Sequence, residues 1–509
     1  MLKRIKYNLE DKDFAELFNK GGLAFLYRIG GQMLGFLLTF VIAYFFGANG
    51  LGDYVLAIVV LKIFTLISKL GFDTASIKFI ASFATERKYK SIKLFRKKSL
   101  LTISVMSILL SIIMYFSADY IADLINANAD YIRINSFFVL PLSFFIFHYQ
   151  NLRGLKKIGL YSFFFWTSQA LFSLIFILIY TRFSKEPSIP LYAYLSSVII
   201  ISVLSFFIFE YVLSKQKNND SEIVENLKFK QIFLISLPLL LAQSVQFIMS
   251  WTDKLMLGIL DTPSVISGLS TNSAEIGVYH TAFKLSMFAT IGLLAIKSIA
   301  SPKFAELYKK QDFQSLQKVT QQSTKLIFWT TLPLVFVFIF CSDFLMGLFG
   351  EEFKVGVFSF VILSLGRLVV SLSGAAGNLL QMCGKQVIFM NVAIIGSIIN
   401  IVLNFILIPE YGILGAAYAT LFVIFLMNTL KLILVAYGLK IHPYSIESLK
   451  ILLVIIVVYF LTKEINLEYT SFINLLIRSV LITLLYSTFS YIFGLTNDIN
   501  TQINKYLDR

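Results

Sequence analysis

Apolar runs of about twenty residues recur along this chain from Gly22 to Phe493, and that recurrence leaves few folds open. A backbone in lipid must satisfy its own hydrogen bonds, so a run of this length reads as a spanning helix. Charged residues make up 14% of the 509 residues, where soluble domains hold about 25%. Mean hydropathy is +0.78. The chain is therefore read as an all-α polytopic membrane protein, not as a soluble domain with an anchor.

About fourteen spans are expected. The first six are Gly22–Phe46, Asp53–Gly71, Ser99–Phe116, Ile134–Gln150, Ile158–Thr181 and Leu191–Leu213. A polar stretch follows, and then Gln231–Leu260, Ile276–Ala300, Thr324–Leu348 and Val355–Met382. The eleventh and twelfth form a hairpin around Asn391–Thr420, which reads NVAIIGSIINIVLNFILIPEYGILGAAYAT. Pro409 is expected to stop its first helix, since proline lacks an N–H and clashes with the preceding turn. A connector of about four residues around Tyr411-Gly412 is expected to turn the chain. Gly415, Ala416, Ala417 and Ala419 then permit close helix approach. Asn400 and Asn404 share one helical face, which should look into protein or water. Two further spans, Leu452–Leu461 with its flanks and Ser471–Phe493, complete the set.

The formal net charge of +15 does not point to nucleic acid in a chain of this kind. Alternate connections hold about 29 of the 44 lysines and arginines and the opposite set about 5, which predicts both termini cytoplasmic. The N-terminal segment lacks the uninterrupted apolar core of a cleaved signal. Cys341 and Cys383 fall in expected helices, and His148, His280 and His442 lie far apart in sequence, so no disulfide framework or zinc spacing is visible.

The halves repeat. Leu51-Gly52-Asp53-Tyr54 aligns with Ile276-Gly277-Val278-Tyr279 at an offset of about 225, and Lys78-Phe79 falls on Lys303-Phe304 at the same offset. Phe176–Ile179 falls on Phe405–Ile408 near an offset of about 229. The expected organisation is an N-terminal lobe over 1–214, a cytoplasmic linker over 215–230, a C-terminal lobe over 231–440, and an appendage of two helices with a cytoplasmic tail over 441–509. An even-helix repeat predicts a pseudo-twofold along the membrane normal, with the substrate path between the six-helix lobes.

Ten basic residues fall within expected spans, where each costs about 2.5–3.5 kcal/mol on insertion scales unless it faces a cavity or a partner. Lys69, Lys78, Lys297 and Lys431 lie near expected cytoplasmic ends and can snorkel to headgroups. Arg478 belongs to the appendage. Arg28, Lys62, Lys284 and Arg367 are deeper, come from both lobes, and are the candidate substrate-binding cations. Asp253 beside Lys254 in WTDKLMLG is a candidate proton or sodium site, or one half of an ion pair. The intramembrane amides, Gln32, Gln243, Gln246, Asn378, Gln381, Asn400 and Asn404, read first as interhelical glue and second as sugar contacts.

A cationic cavity in a membrane suits an anionic amphiphile, with arginine and lysine holding a pyrophosphate through charge-assisted bonds. The hairpin pattern N…LN.ILIP.YGI.GAA.AT resembles the polysaccharide exporters, the oligosaccharide-lipid flippases of the multidrug/oligosaccharide-lipid/polysaccharide exporter superfamily. The YRIGGQ start, the Gly52-Asp53-Tyr54 turn and the Asp253…IGVY segment are similar to that family as well. The resemblance covers nearly the whole chain. It implies a flippase moving a polyprenyl-pyrophosphate-linked oligosaccharide across the plasma membrane by alternating access, for an envelope polysaccharide. It also implies a groove for the lipid tail at the last two helices, and association with polysaccharide assembly proteins and membrane lipids. Arg28 and Asp253 are the residues to which it points, and no cofactor beyond a proton or sodium ion is implied.

Two other function classes stand beside this one. A multidrug cation antiporter of the same superfamily prefers acidic cavity residues and twelve spans, whereas the buried charge here is mainly basic. A membrane glycosyltransferase or polymerase needs catalytic groups, but no Gly-rich phosphate loop or paired-carboxylate motif is visible.

Overall fold

The computed structural model describes residues 12–216, 227–262, 269, 271–462 and 471–493, and these are helical almost throughout. Helix α1, Lys12–Ser68, holds the first two spans as two arms meeting at Gly47, whose φ of 68° and ψ of −172° suit a residue without a Cβ. The chain then runs through α2 (Phe72–Thr85), α3 (Tyr89–Phe116), α4 (Ala118–Ile125), α5 (Ala129–Ser136) and α6 (Val139–Gly154). Next are α7 (Ile158–Ser162), a π-helical turn at Phe163–Ser168, α8 (Gln169–Tyr180), α9 (Ile189–Ser214) and α10 (Phe229–Ile259). The second half comprises α11 (Asn272–Met287), α12 (Ile291–Lys309), α13 (Phe313–Phe340), α14 (Ser342–Gly347), α15 (Val357–Leu372) and α16 (Ala376–Met382). It ends with α17 (Gln386–Tyr411), α18 (Ile413–Leu439), α19 (Ile446–Thr462) and α20 (Ser471–Ile492).

Among the described residues, ten helical stretches are long and apolar enough to cross a membrane, or eleven if α5 and α6, bent by 54°, form one span. That count takes the two arms of α1 together and leaves out α19, of 17 residues, and α20, whose described apolar part is Ile477–Ile492. Each of the fourteen expected spans corresponds to helix. The two chain ends, 1–11 and 494–509, lie outside the described residues, as do 217–226 of the expected linker.

The internal repeat is written in the turns. Lys88 donates its N–H to the Phe83 carbonyl and Asp312 donates to Leu307, at 2.8 and 3.1 Å; from 88 to 312 is 224 positions. Lys157 donates to Leu152 and Lys385 to Leu380, both at 2.9 Å; from 157 to 385 is 228 positions. In each case the preceding residue, Arg87, Gln311, Lys156 or Gly384, has a φ between 55° and 75°. This is the left-handed cap that satisfies the last carbonyls of a helix. Hydrogen-bonded turns of one type at two nearly matching offsets reproduce the two offsets seen in the sequence.

The described helices form two compact units: Gly22–His280 with Ile408–Gly412, and Thr281–Leu407 with the described residues before Gly22 and after Gly412. In the first unit, α6 packs against α2, α3 and α9. Helix α10 packs against α2 and α4. The expected boundary at 215–230 assigns this seventh span to the second lobe, whereas its contacts join it to the first unit. The reason is local: Gly71 abuts the Ser236 carbonyl, where a Cβ would overlap it. The rings of Phe72 and Phe233 meet edge to face at 5.2 Å. At the other end Asn126 donates to the Gly258 carbonyl at 2.9 Å.

In the second unit, α13 packs on α12, α15 and α19, and α15 packs on α18. The two helices expected as an appendage share a core with α13: Phe328 and Leu332 are buried with Ile451, Val454, Ile455, Val458, Ile482 and Tyr486. One detail of the hairpin is corrected. Pro409 does not end α17, which runs to Tyr411, and Gly412 alone, at φ 55°, makes the connection to α18. In the last turn a proline forfeits a single hydrogen bond, and the Gly412 N–H closes the turn on the Ile408 carbonyl at 2.8 Å. Asn400 and Asn404 are both buried, and Asn404 Nδ2 donates to Asn400 Oδ1 at 3.4 Å.

Candidate functional site

The deep cations of the first unit rest on tryptophans. Arg28, on the first arm of α1, places its guanidinium 4.7 Å from the centre of the Trp166 ring. Three residues on, Gly31 abuts the Trp166 backbone so closely that a Cβ would overlap its carbonyl. Thr167 Oγ1 donates to the Tyr27 carbonyl at 3.0 Å. Tyr27, Arg28 and Gly31 thus dock on the π-helical turn of the fifth span, a distortion that is frequent at functional sites because it re-aims side chains. Arg28 Nε is buried and has no hydrogen-bond partner among the described residues.

Lys62, on the second arm of α1, lies 4.6 Å from the centre of the Trp251 ring, and Lys254 lies 4.8 Å from the same centre. Trp251 is stacked on Phe247, one turn earlier in α10, at 6.1 Å and 23°. Lys254 is buried and donates to the Ser250 carbonyl at 3.1 Å. Two ammonium groups over one indole hold two positive charges in an apolar helix layer, where the negative face of the ring offsets part of their desolvation. Next to them Asp253 accepts a hydrogen bond from the Tyr279 phenol at 2.7 Å.

This group is held by close backbone contacts. Gly52 abuts the Ser273 carbonyl and Gly277 abuts the Ala48 carbonyl, both so closely that a Cβ would overlap. Ser273 donates to Asp53 at 2.5 Å. The paired Gly52 and Gly277 of the sequence repeat therefore pin the start of α11, and with it Tyr279, to the second arm of α1.

In the second unit Arg367 donates from Nε to Ser286 Oγ at 3.3 Å, and its guanidinium lies 4.8 Å over Phe283. Lys284 lies between those two contacts in the α11 sequence, on a neighbouring face of the helix. Arg28 and Lys62, although on one helix, stand on opposite arms of it and on different tryptophans.

Two features escaped sequence reading. The tryptophans were not expected as platforms, although the chain has only three and Trp251 lies two residues before Asp253. Lys69 was expected to snorkel. Instead it is 5% exposed and pairs at 2.9 Å with Asp73, which is 1% exposed. Lys78 is exposed, as a snorkelling residue should be, and Lys431 lies 5.3 Å over Phe389.

Comparison with known proteins gives a consistent picture. A profile of the family described as polysaccharide biosynthesis protein matches residues 17–308, more than half of the chain. The MatE family matches residues 238–406. A probable low-salt glycan biosynthesis flippase of Haloferax volcanii, Agl15, is 28% identical over 172 residues, 34% of each chain. The capsular polysaccharide biosynthesis protein CapF of Staphylococcus aureus is 24% identical over 275 residues, covering 53% of this chain and 64% of that one. The matches thus span about a third and just under two thirds of these two relatives. Among solved structures, the lipid II flippase MurJ in an inward closed conformation superposes with a TM-score of 0.71, 17% identity, and coverage of 92% of this chain and 98% of that one. At that identity the likeness shows a shared helical fold.

Proposed function

The chain belongs to the polysaccharide biosynthesis protein family, and from that premise we propose that it is a flippase for a lipid-linked oligosaccharide. The substrate is a glycan on a polyprenyl pyrophosphate, and the process is alternating access rather than a chemical reaction. The observation that carries the reading is the pair Lys62 and Lys254 over Trp251 inside the membrane. A pyrophosphate is a compact anion with two charged centres. Two ammonium groups at one ring offer it two charge-assisted contacts where competing water is scarce. Arg28 on Trp166 adds a planar donor set to the same unit, and Lys284 and Arg367 are the corresponding cations of the other.

The names of the relatives support the same class, since Agl15 is named a glycan biosynthesis flippase and CapF a capsular polysaccharide biosynthesis protein. Under this reading the protein sits in the plasma membrane with the basic connections and both termini in the cytoplasm. It works beside the proteins that build and polymerise the glycan. The match to the MatE family favours a second reading, export of an organic cation. The basic character of the site opposes that reading, because ammonium and guanidinium groups repel a cationic drug.

The test is reconstitution. Proteoliposomes carrying a fluorescent polyprenyl-pyrophosphate oligosaccharide on one leaflet should show protein-dependent access of the probe to a quencher on the other. Efflux of ethidium with no movement of the lipid would establish the cation exporter instead.

A further inference from the structure

We propose that a cleft in the first unit, where α2, α6 and α9 end and α3 begins, is a binding site for the phosphate headgroup of an anionic phospholipid.

The cleft is shaped by residue size. Its volume is about 220 Å³. On one side Ala84, in the last turn of α2, leaves space that a larger side chain would fill. On the other, Gly154 draws the end of α6 onto α2, because a Cβ there would press on Ile80 at 3.0 Å. Lys156, at φ 59°, then reverses the chain, and the Lys157 N–H closes the turn on the Leu152 carbonyl at 2.9 Å. Two consecutive lysines are thereby held at the rim, and both are exposed. The far end is polar: the Tyr89 phenol donates to Gln216 Oε1 at 3.1 Å.

The charge around the cleft is one-sided. Neither rim lysine has an ion-pair partner among the described residues. Glu86, the one acidic residue between α2 and α3, is held by Lys88 at 2.5 Å. Arg153 is committed to the Tyr161 ring, 5.1 Å from its centre. The cleft thus offers two ammonium groups on flexible stems, a phenol and an amide, with no carboxylate in its lining. Such a set fits a phosphate, whose oxygens accept from several donors at once and whose charge needs no fixed fork. The location favours a lipid as the source. Helices α3 and α9 are long and apolar enough to cross a membrane, so their ends here lie at headgroup depth. At the end of α9, Lys215 lies 4.2 Å over the Tyr211 ring, a basic and aromatic pair of the kind found at that depth. A phospholipid bound here keeps its chains in the bilayer, and basic pockets between spanning helices take such headgroups.

The site can be tested without transport. Native mass spectrometry of the full-length protein in detergent, titrated with phosphatidylglycerol or phosphatidylcholine, counts the lipids retained. The wild type should hold phosphatidylglycerol in preference to phosphatidylcholine. In Lys156→Gln/Lys157→Gln, at two exposed positions, the affinity for phosphatidylglycerol should fall about 10- to 30-fold. Ala84→Leu fills the cleft and leaves every charge in place, and it should weaken the lipid as well. Lys93→Gln/Lys97→Gln removes two exposed lysines of α3 that do not line the cleft, and it should bind as the wild type does. An equal loss in Lys93→Gln/Lys97→Gln would overturn the proposal, since diffuse charge would then explain the binding. Full binding by Lys156→Gln/Lys157→Gln, or by Ala84→Leu with an unchanged melting temperature, would overturn it too. Glycerol 3-phosphate should fail to displace the lipid; displacement at matched concentration would overturn the lipid assignment in favour of a soluble phosphate.

Discussion

The Tyr279 phenol donates a 2.7 Å hydrogen bond to Asp253 Oδ2, joining the middle of α11 to α10. Tyr279 is fully buried and Asp253 is 8% exposed, so this bond sets the position of the only carboxylate singled out beside the Trp251 cations.

Tyr279→Phe removes the donor and leaves a buried carboxylate oxygen less well satisfied. The expected cost is about 1–3 kcal/mol of stability. Because the two residues act through one bond, the Asp253→Asn/Tyr279→Phe double variant should lose less than the sum of the single losses. Thermal unfolding in detergent reads both, and additive losses would show that the bond does not couple them.

Gly30 and Gly31 are adjacent in the sequence yet should respond in opposite ways. Nothing lies near a Cβ at Gly30, whereas one at Gly31 would overlap the Trp166 carbonyl. Gly31→Ala should therefore cost about 1–3 kcal/mol and move Trp166 away from Arg28, while Gly30→Ala is neutral or slightly stabilising. Melting temperatures compared with the Trp166 fluorescence maximum in a background lacking the other tryptophans would show it.

The tryptophans should matter through their rings. Trp251→Phe keeps an aromatic face for Lys62 and Lys254, and Trp251→Leu does not. At about 0.5–2 kcal/mol for a cation over a ring, flipping should fall by roughly 2- to 30-fold in Trp251→Leu and less in Trp251→Phe. Equal rates in both variants would remove the ring from the site.

Tyr486 offers a stabilising change. Its side chain is 1% exposed in the core shared by α13, α19 and α20, and its hydroxyl has no hydrogen-bond partner among the described residues. Tyr486→Phe removes a buried polar group at constant shape and should raise the melting temperature, whereas Ile455→Ala in the same core should lower it.

The fold was legible because lipid imposes it. Runs such as Val392–Ile408 admit few structures besides a spanning helix, and the offsets of about 225 and 229 resurface as matched turns at 88 and 312 and at 157 and 385. What sequence could not supply was anything decided by a neighbouring helix. Lys69 near a span end reads as a snorkelling lysine until the positive φ of Gly71 folds Asp73 back beside it. The grouping of α10 with the first unit involves the close approach of Gly71 to the Ser236 carbonyl, a contact between residues 165 positions apart. Pro409 reads as a stop, but at the last turn it costs too little to be one. The deep cations could be named from hydropathy alone. Their tryptophan platforms could not, because a cation over a ring leaves no spacing rule behind.

Lys62 and Lys254 over Trp251 are the proposed seat of the pyrophosphate. The decisive measurement is flipping of a fluorescent polyprenyl-pyrophosphate oligosaccharide in proteoliposomes, comparing the wild type with Lys62→Gln/Lys254→Gln and with Lys62→Arg. If Lys62 and Lys254 seat the pyrophosphate, the double glutamine variant, correctly folded, should lose flipping by about two to four orders of magnitude, since each charge-assisted contact is worth about 1.5–3 kcal/mol, and Lys62→Arg should retain most of it. A folded double variant that flips the lipid at the wild-type rate would contradict it.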